Sequence, residues 1–268
     1  MEILFIRNNM NNNKNKKEIK KEYRNKKKEL RKNYHNEKKE LHLEYNEELD
    51  RYFEVQPNSN NNPPRRTVLE EIGNAVSHGT GVILAVVALV FMLKKVDSTI
   101  ALVASLVYFS GLFILFTMSA LYHSFSYGSK VKRLFRRFDY SSIYLLIGST
   151  YAPIVLCYVG GKFGIIFFIV QWLIIITGIT LIGVFGPNRL KYIHFPLYFI
   201  LGWSAILFLP RMIREDLNLF LWILGGGIIY CLGMIPFLRD HKVSHFVWHI
   251  FVLFGAIVQW IGIYLYIL

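Results

Sequence analysis

Cysteine and acidic residues are scarce in the larger part of this chain. There are two cysteines among 268 residues, Cys157 and Cys231, and each lies inside an apolar run. Neither a disulfide framework nor a zinc site built from cysteine pairs is therefore expected. Residues 67–268 contain 7 Asp and Glu beside 14 Lys and Arg, and nearly all of these charges lie between apolar runs. This pattern excludes a soluble globular protein. No cleavable signal peptide is expected, because a long polar segment precedes the first apolar run.

Seven apolar segments follow residue 66, and each has close to the ~20 residues that a helix needs to cross a bilayer. They cover roughly 74–93, 99–121, 140–158, 163–185, 192–210, 218–237 and 246–267. The connections between them are short. The sequence therefore predicts an all-α membrane protein, in which residues 67–268 form a bundle of seven transmembrane helices. We expect a multi-pass protein of the cell membrane with lipids, and no nucleic acid, as partners.

The distribution of Lys and Arg among the connections predicts the orientation. With a cytoplasmic N-terminus, nine of these residues fall in the cytoplasmic loops 122–139, 186–191 and 238–244, against five on the other side. Short cytoplasmic loops carry the excess of positive charge in membrane proteins. We therefore expect the N-terminus inside and, after seven spans, the C-terminus outside.

Residues 1–66 form a separate, charged arm with Asn-rich tracts. Its apolar residues repeat every eleven positions, as in Ile19 to Tyr23, Leu30 to Tyr34 and Leu41 to Tyr45, a period typical of a long helix with a nearly straight apolar stripe. Such a helix could self-associate or lie on anionic lipid headgroups. A solvated, partly helical tail fits equally, and residues 58–64 are expected to be a linker.

Most of the unusual polar residues of the membrane part fall at the cytoplasmic ends of their predicted spans. His245 and His249 are four residues apart, so both imidazoles lie on one helical face. His123 ends the second span, with Ser119 one turn before it, and Asp139 opens the third. The topology was assigned from Lys and Arg alone, so this convergence is an independent observation.

Three histidines at one depth, with an open position, are typical of a catalytic zinc site. His123, His245 and His249 are the predicted ligands. Asp139 would hold a water molecule at the metal or act as its base, and Ser119 could donate a hydrogen bond to that water or to a developing oxyanion. Taken singly, the histidines could be interfacial groups, Ser119 could bond to its own helix, and Asp139 could be a favourable helix N-terminal charge.

These residues resemble the hemolysin III family, and through it the progestin and adipoQ receptor superfamily, over about residues 70–268. Three motifs carry the resemblance. The first contains Glu71, Asn74 and His78. The second contains Ser119 and His123 and is followed by Asp139, and the third contains His245 and His249. The resemblance implies a seven-helix protein with its N-terminus inside. It also implies a zinc ion near the cytoplasmic side, bound by His123, His245 and His249, with Asp139 contacting it through water. Glu71, Asn74 and His78 become candidates for a supporting polar network, with capping and anchoring of the first span as the alternative.

Three functions stay open at this point. The first is a zinc-dependent intramembrane hydrolase of a lipid amide or ester, since the superfamily is similar to alkaline ceramidases. The second is a receptor or regulator with structural zinc. The third is a hemolysin-type, pore-forming cytolysin, for which the sequence offers no amphipathic pore segment. Among the remaining histidines, we expect His194 to be interfacial and His241 to be solvated.

Overall fold

The structure is a computed structural model that describes residues 15–55, 63–239 and 243–268. All regular structure in these ranges is helical. The chain divides into two compact units, 1–59 and 60–268. The predicted linker falls largely on residues outside the described ranges, as does His241, and the predicted domain boundary after residue 66 stays a prediction.

The arm contains one long helix, α1, which runs from Lys16 to Val55. At 1.5 Å per residue its 40 residues extend over about 60 Å. The apolar side chains of the eleven-residue repeat are exposed within this unit, with Tyr23, Leu30, Tyr34, Leu41 and Tyr45 between 56% and 67% accessible. Self-association and lipid binding of this helix both stay predictions.

The second unit has eight helices in the part of the chain that the structure describes. They are α2 Val68–Lys95, α3 Thr99–Ser124, α4 Lys130–Pro153, α5 Gly161–Phe185, α6 Lys191–Trp203, α7 Leu209–Glu215, α8 Leu217–Leu238 and α9 Ser244–Tyr266. With α6 and α7 forming one broken span, seven helical segments among the described residues are long and apolar enough to cross a membrane. The predicted all-α fold with seven spans is confirmed. The orientation of the termini stays a prediction.

Side-chain caps fix the starts of four of the eight described helices of this unit, namely α2, α3, α4 and α8. Thr67 and Glu70 form a reciprocal capping box at the start of α2, and Ser129 accepts a hydrogen bond from the Lys132 N–H at the start of α4. Such caps satisfy N–H groups that have no partner within the helix. The Ser129 cap starts the helix of the third span at Lys130, two to three turns before the predicted apolar segment of about 140–158.

Two spans depart from a regular α-helix. Pro153 ends α4, and the chain continues as a π-helical turn over Ile154–Val159, because a proline supplies no N–H to the ladder. Gly160 and Gly161 then both take a φ of 62°, which turns the chain into α5 and which other residues rarely adopt. The fifth span is interrupted by a 3₁₀ turn at Ser204–Phe208.

Close approach of helix pairs positions the ends of α3, α4 and α9. A Cβ added at Gly111 of α3 would lie 1.8 Å from the Ser149 Oγ of α4, and one at Gly226 of α8 would lie 2.3 Å from the Gln259 Cγ of α9. Small residues at helix contacts are a common basis of packing inside membranes. The start of α2, the end of α3 and the starts of α4 and α9 meet at one end of the bundle, called the site end below.

Candidate metal centre

Three imidazoles converge at the site end. His123 is the last residue but one of α3, and His245 and His249 are in the first two turns of α9. The Nε2 atom of His245 lies 3.3 Å from the Nε2 of His123 and 3.1 Å from the Nε2 of His249. The ligand atoms of all three lie within 4.8 Å of one another. This group could hold a metal ion.

The spacing of the nitrogens suits a tetrahedral ion. Imidazole nitrogens that lie ~2.0–2.1 Å from a tetrahedral zinc are separated from each other by about 3.3–3.4 Å. The two short nitrogen–nitrogen distances of this group, 3.1 and 3.3 Å, are close to that value. Three neutral imidazoles also form a donor set typical of zinc or of another divalent ion of similar preference. The residues therefore fit a metal ion with an open fourth position.

The protonation state of His123 is set by its neighbours in α2. The Nδ1 of His123 lies 2.5 Å from the Oε2 of Glu71, and the amide nitrogen of Asn74 lies 3.3 Å from the same Nδ1. Because an ionised carboxylate can only accept, Nδ1 carries a hydrogen and donates a hydrogen bond to Glu71. The Asn74 amide nitrogen, which is also a donor, is therefore a neighbour of Nδ1 and not its hydrogen-bond partner. The lone pair of Nε2 then points into the three-histidine group. A carboxylate behind a histidine is the usual means of orienting a metal ligand.

A buried lysine holds Glu71 on its other side. Lys132 of α4 has 0% exposure, and its Nζ lies 3.0 Å from the Oε1 of Glu71. The same Nζ donates to the carbonyl oxygens of Tyr122 and Phe125 at the end of α3, at 3.1 and 2.9 Å. One ammonium group thus ties together α2, α3 and α4 beside the His123 imidazole.

The ring of His78 packs against the group without joining it. Its plane stacks on the His249 imidazole, with ring centroids 3.8 Å apart and an angle of 18° between the planes. His78 is buried, and within the described ranges both of its ring nitrogens lack a hydrogen-bond partner. The structure thus places His78, Glu71 and Asn74 next to the three histidines, with Glu70 rather than Glu71 in the capping box.

Asp139 and Ser119 lie on the wall of a cavity that reaches the histidines. The cavity has a volume of about 270 Å³ and is bordered by His78, Ser119, Asp139, His245 and His249 at the site end. The Ser119 hydroxyl is beside the Asp139 carboxylate, but it makes no well-aligned hydrogen bond to any residue in the described part of the chain. Both side chains are therefore available to a molecule inside the cavity.

Most of the cavity wall is apolar and extends away from the histidines along several spans. On α9 the wall continues from His249 to Gln259, which is about 15 Å along the helix axis at 1.5 Å per residue. The α4, α6, α7 and α8 helices supply aliphatic and aromatic side chains. The shape is suited to a chain-like apolar molecule whose polar end lies at the histidines.

Sequence reasoning missed two buried cations and misjudged one histidine. Lys132 and Arg136 were counted as loop charges, yet they are 0% and 3% exposed. Their spacing with Asp139, at i, i+4 and i+7, marks one helical face and was the signal that could have found them.

His194, predicted to be interfacial, is buried instead, with its Nδ1 3.0 Å from the Tyr144 hydroxyl. Gly178 makes room for the Tyr144 ring, which an added Cβ would approach to 2.4 Å.

These features define a class: an integral membrane protein of seven helical spans, with a buried three-histidine group at one end of an apolar cavity. Comparison with known proteins gives the family. Residues 66–260 match the family described as Haemolysin-III related. The chain belongs to this hemolysin III family, within the progestin and adipoQ receptor superfamily.

Individual relatives align with between 71% and 75% of this chain. The chain is 36% identical over 207 residues to Hemolysin-3 of Bacillus cereus, an alignment that spans 75% of this chain and 93% of the relative. It is 30% identical over 195 residues to the Hemolysin-3 homolog of Bacillus subtilis (strain 168), spanning 71% and 91%. It is 26% identical over 209 residues to the Monocyte to macrophage differentiation factor of Homo sapiens, spanning 75% and 86%.

Proposed function

We propose that the protein is a zinc-dependent intramembrane hydrolase that cleaves an amide or ester bond of an acyl lipid. The observation that carries the proposal is that the three-histidine group lies at one end of an apolar cavity together with the Asp139 carboxylate and the neighbouring Ser119 hydroxyl. An acyl chain would occupy the apolar length of this cavity. The scissile carbonyl would then lie at the histidines.

Each side chain has a role that follows from its chemistry. His123, His245 and His249 would hold the ion, which when bound supplies a Lewis acid that polarises a carbonyl and acidifies water. Asp139 would take a proton from the attacking water and return it to the leaving amine or alcohol. Ser119 would donate a hydrogen bond to the oxyanion that develops on the carbonyl. The apolar wall would keep bulk water out of the cavity. The resulting low dielectric constant would strengthen the electrostatic interactions of Asp139, Ser119 and the ion with the reacting groups.

The test is a hydrolysis assay on purified full-length protein in lipid nanodiscs, using ceramides and a panel of other amide- and ester-linked lipids. We expect fatty acid release by zinc-loaded protein, its loss after metal removal by a chelator, and its return on reloading. The variant His245→Ala/His249→Ala should be inactive. His35→Ala/His42→Ala, which removes two histidines from the exposed arm, should match the wild type.

Two other results would redirect the interpretation. Zinc-loaded protein that releases no fatty acid from any lipid of the panel would contradict the hydrolase and favour a receptor or regulator with structural zinc. Leakage of dye from liposomes at low protein density, independent of metal, would instead favour a pore-forming activity.

A further inference from the structure

Two adjacent acids in the first turn of α2 contact the two helices that supply the three imidazoles. Glu71 accepts a hydrogen bond from the His123 Nδ1–H of α3 at 2.5 Å. Its neighbour Glu70 accepts one from the backbone N–H of Val243, directly before α9, through Oε1 at 2.6 Å. His245 follows Val243 by two residues. The first turn of α2 is therefore hydrogen-bonded both to α3, which carries His123, and to the residue directly before α9, which carries His245 and His249.

Glu70 is itself fixed by the cap of α2. Its Oε2 accepts from the N–H and the hydroxyl of Thr67, at 3.0 and 2.9 Å. The second carboxylate oxygen is left for Val243. The carboxylate thus joins the rigid start of α2 to the start of α9, and a hydrogen bond to a charged acceptor is stronger than one between neutral groups.

The conformation of Val243 explains why such an anchor is needed. Val243 has a φ of 62°, and it is the one non-glycine residue with positive φ in the described ranges. A β-branched residue rarely adopts this conformation, which persists only where neighbouring contacts enforce it. The α9 helix also begins without a side-chain cap. Among the described residues, the bond from Glu70 is therefore a contact that holds the entry into α9 from another helix.

Lys132 completes the arrangement on the side of Glu71. It bonds to Glu71 and to two carbonyl groups at the end of α3. Because Lys132 is in the first turn of α4, the helix that carries Asp139 is joined to the same turn of α2. All the elements that supply the candidate centre are thus bonded to residues 70 and 71.

We propose that Glu70 and Glu71 are a pair of positioning residues, in which Glu71 orients His123 and Glu70 sets the position of His245 through Val243. The inference rests on the proposed metal centre for its functional meaning, whereas the bonds it describes are independent of a metal. Neither acid touches the substrate cavity. Both act through other residues.

The metal-dependent test measures Co²⁺ and Zn²⁺ affinity, and the visible Co²⁺ spectrum, of the full-length protein in detergent. Loss of an orienting carboxylate typically lowers metal affinity about 10- to 100-fold, so we expect a loss in that range for Glu71→Gln. For Glu70→Ala we expect a smaller loss of about tenfold or less. Glu70→Gln keeps an acceptor for the Val243 N–H and should recover most of the affinity. Ser98→Ala, which removes the side-chain cap of α3 at the end opposite His123, is the matched control and should bind metal like the wild type.

A metal-free test separates this inference from the proposed function. Spin labels at Ser124→Cys and Ser244→Cys, with Cys157 and Cys231 replaced by Ser, report the distance between the end of α3 and the start of α9. We expect a narrow distribution in metal-free protein that broadens in Glu70→Ala but not in Ser98→Ala. If the distance distribution broadens in Glu70→Ala although the wild type binds no metal, the result supports the positioning pair and contradicts the metal centre. Unchanged distances together with unchanged affinity in Glu70→Ala would overturn the positioning pair.

Discussion

The two ends of the membrane bundle use the same charged residue types for different purposes. At the end of the bundle opposite the site end, called the far end here, Lys95 donates a hydrogen bond to the Tyr264 carbonyl oxygen at 2.6 Å. Arg211 donates one to the Val159 carbonyl oxygen at 2.9 Å. These cations satisfy carbonyl groups where helices finish. The ion pair there, Arg211 with Glu215, lies within one helical turn and is 41% and 51% exposed.

At the site end the charges are buried and join different helices. Glu71 bridges Lys132 of α4 and His123 of α3, with side-chain exposures of 17%, 1% and 0%. Burying ionised groups is unfavourable unless each has good partners, and in a membrane such groups are commonly functional. At the far end the cations therefore serve helix termination, whereas at the site end Lys132 bonds to the carbonyl groups that end α3 and also, through Glu71, to the three-histidine group.

The largest effect is expected from a change at the cavity wall of the site end. Asp139→Asn keeps the size of the side chain but removes the proton acceptor. We expect the hydrolysis rate to fall about 10²- to 10⁴-fold, the usual contribution of a general base, while metal content stays at the wild-type level. The measurement is initial rate of fatty acid release beside metal analysis of the same sample. A variant with an unchanged rate would remove Asp139 from the mechanism.

An intermediate effect is expected between the two ends, where α3 and α4 pack closely. Gly111→Val would force the new side chain against Ser149 and the Leu145 carbonyl, and overpacking of this kind costs about 1–3 kcal/mol. We expect a lower thermal unfolding midpoint in detergent. Gly183→Val is the control, because an added Cβ at Gly183 meets nothing within 4 Å. Equal loss of stability in both variants would refute the close α3–α4 contact.

The smallest effect is expected at the far end. Arg211→Lys keeps the positive charge but cannot make both the Val159 and the Glu215 bond through a planar guanidinium, so we expect at most a small fall in the unfolding midpoint and no change in metal content or hydrolysis rate. The measurement is the same set of assays as for Asp139→Asn. A loss of metal or of hydrolysis rate in Arg211→Lys would show that the far end affects the site end. That result would contradict the separate roles assigned to the two ends.

Much of this organisation follows from the sequence, because it depends on local patterns. Apolar run length gives the seven spans, and the i, i+4 spacing of His245 and His249 gives their shared face. For Lys132 the local pattern is weaker. Its spacing with Arg136 and Asp139 marks one helical face, but its buried partner, Glu71, is 61 positions earlier in the chain and no local pattern predicts that contact.

The broken spans and the environment of His194 were also beyond local reasoning. His194 opens a span, where an interfacial position is the common outcome, but Tyr144 from another helix supplies its partner. Pro153 indicated a break, whereas the π-helical turn that follows it depends on how the chain meets Gly160 and Gly161. Local sequence thus predicted the elements, and contacts between distant elements decided their details.

The central claim is that His123, His245 and His249 hold a metal ion. Elemental analysis of full-length protein, purified gently without chelator, tests it most directly in the wild type, His245→Ala/His249→Ala and His35→Ala/His42→Ala. The account predicts about one zinc per chain in the wild type and in His35→Ala/His42→Ala. It predicts no zinc in His245→Ala/His249→Ala. Wild-type protein without metal, or equal metal in all three, would contradict the account and leave the three histidines as a largely buried polar group that holds no metal.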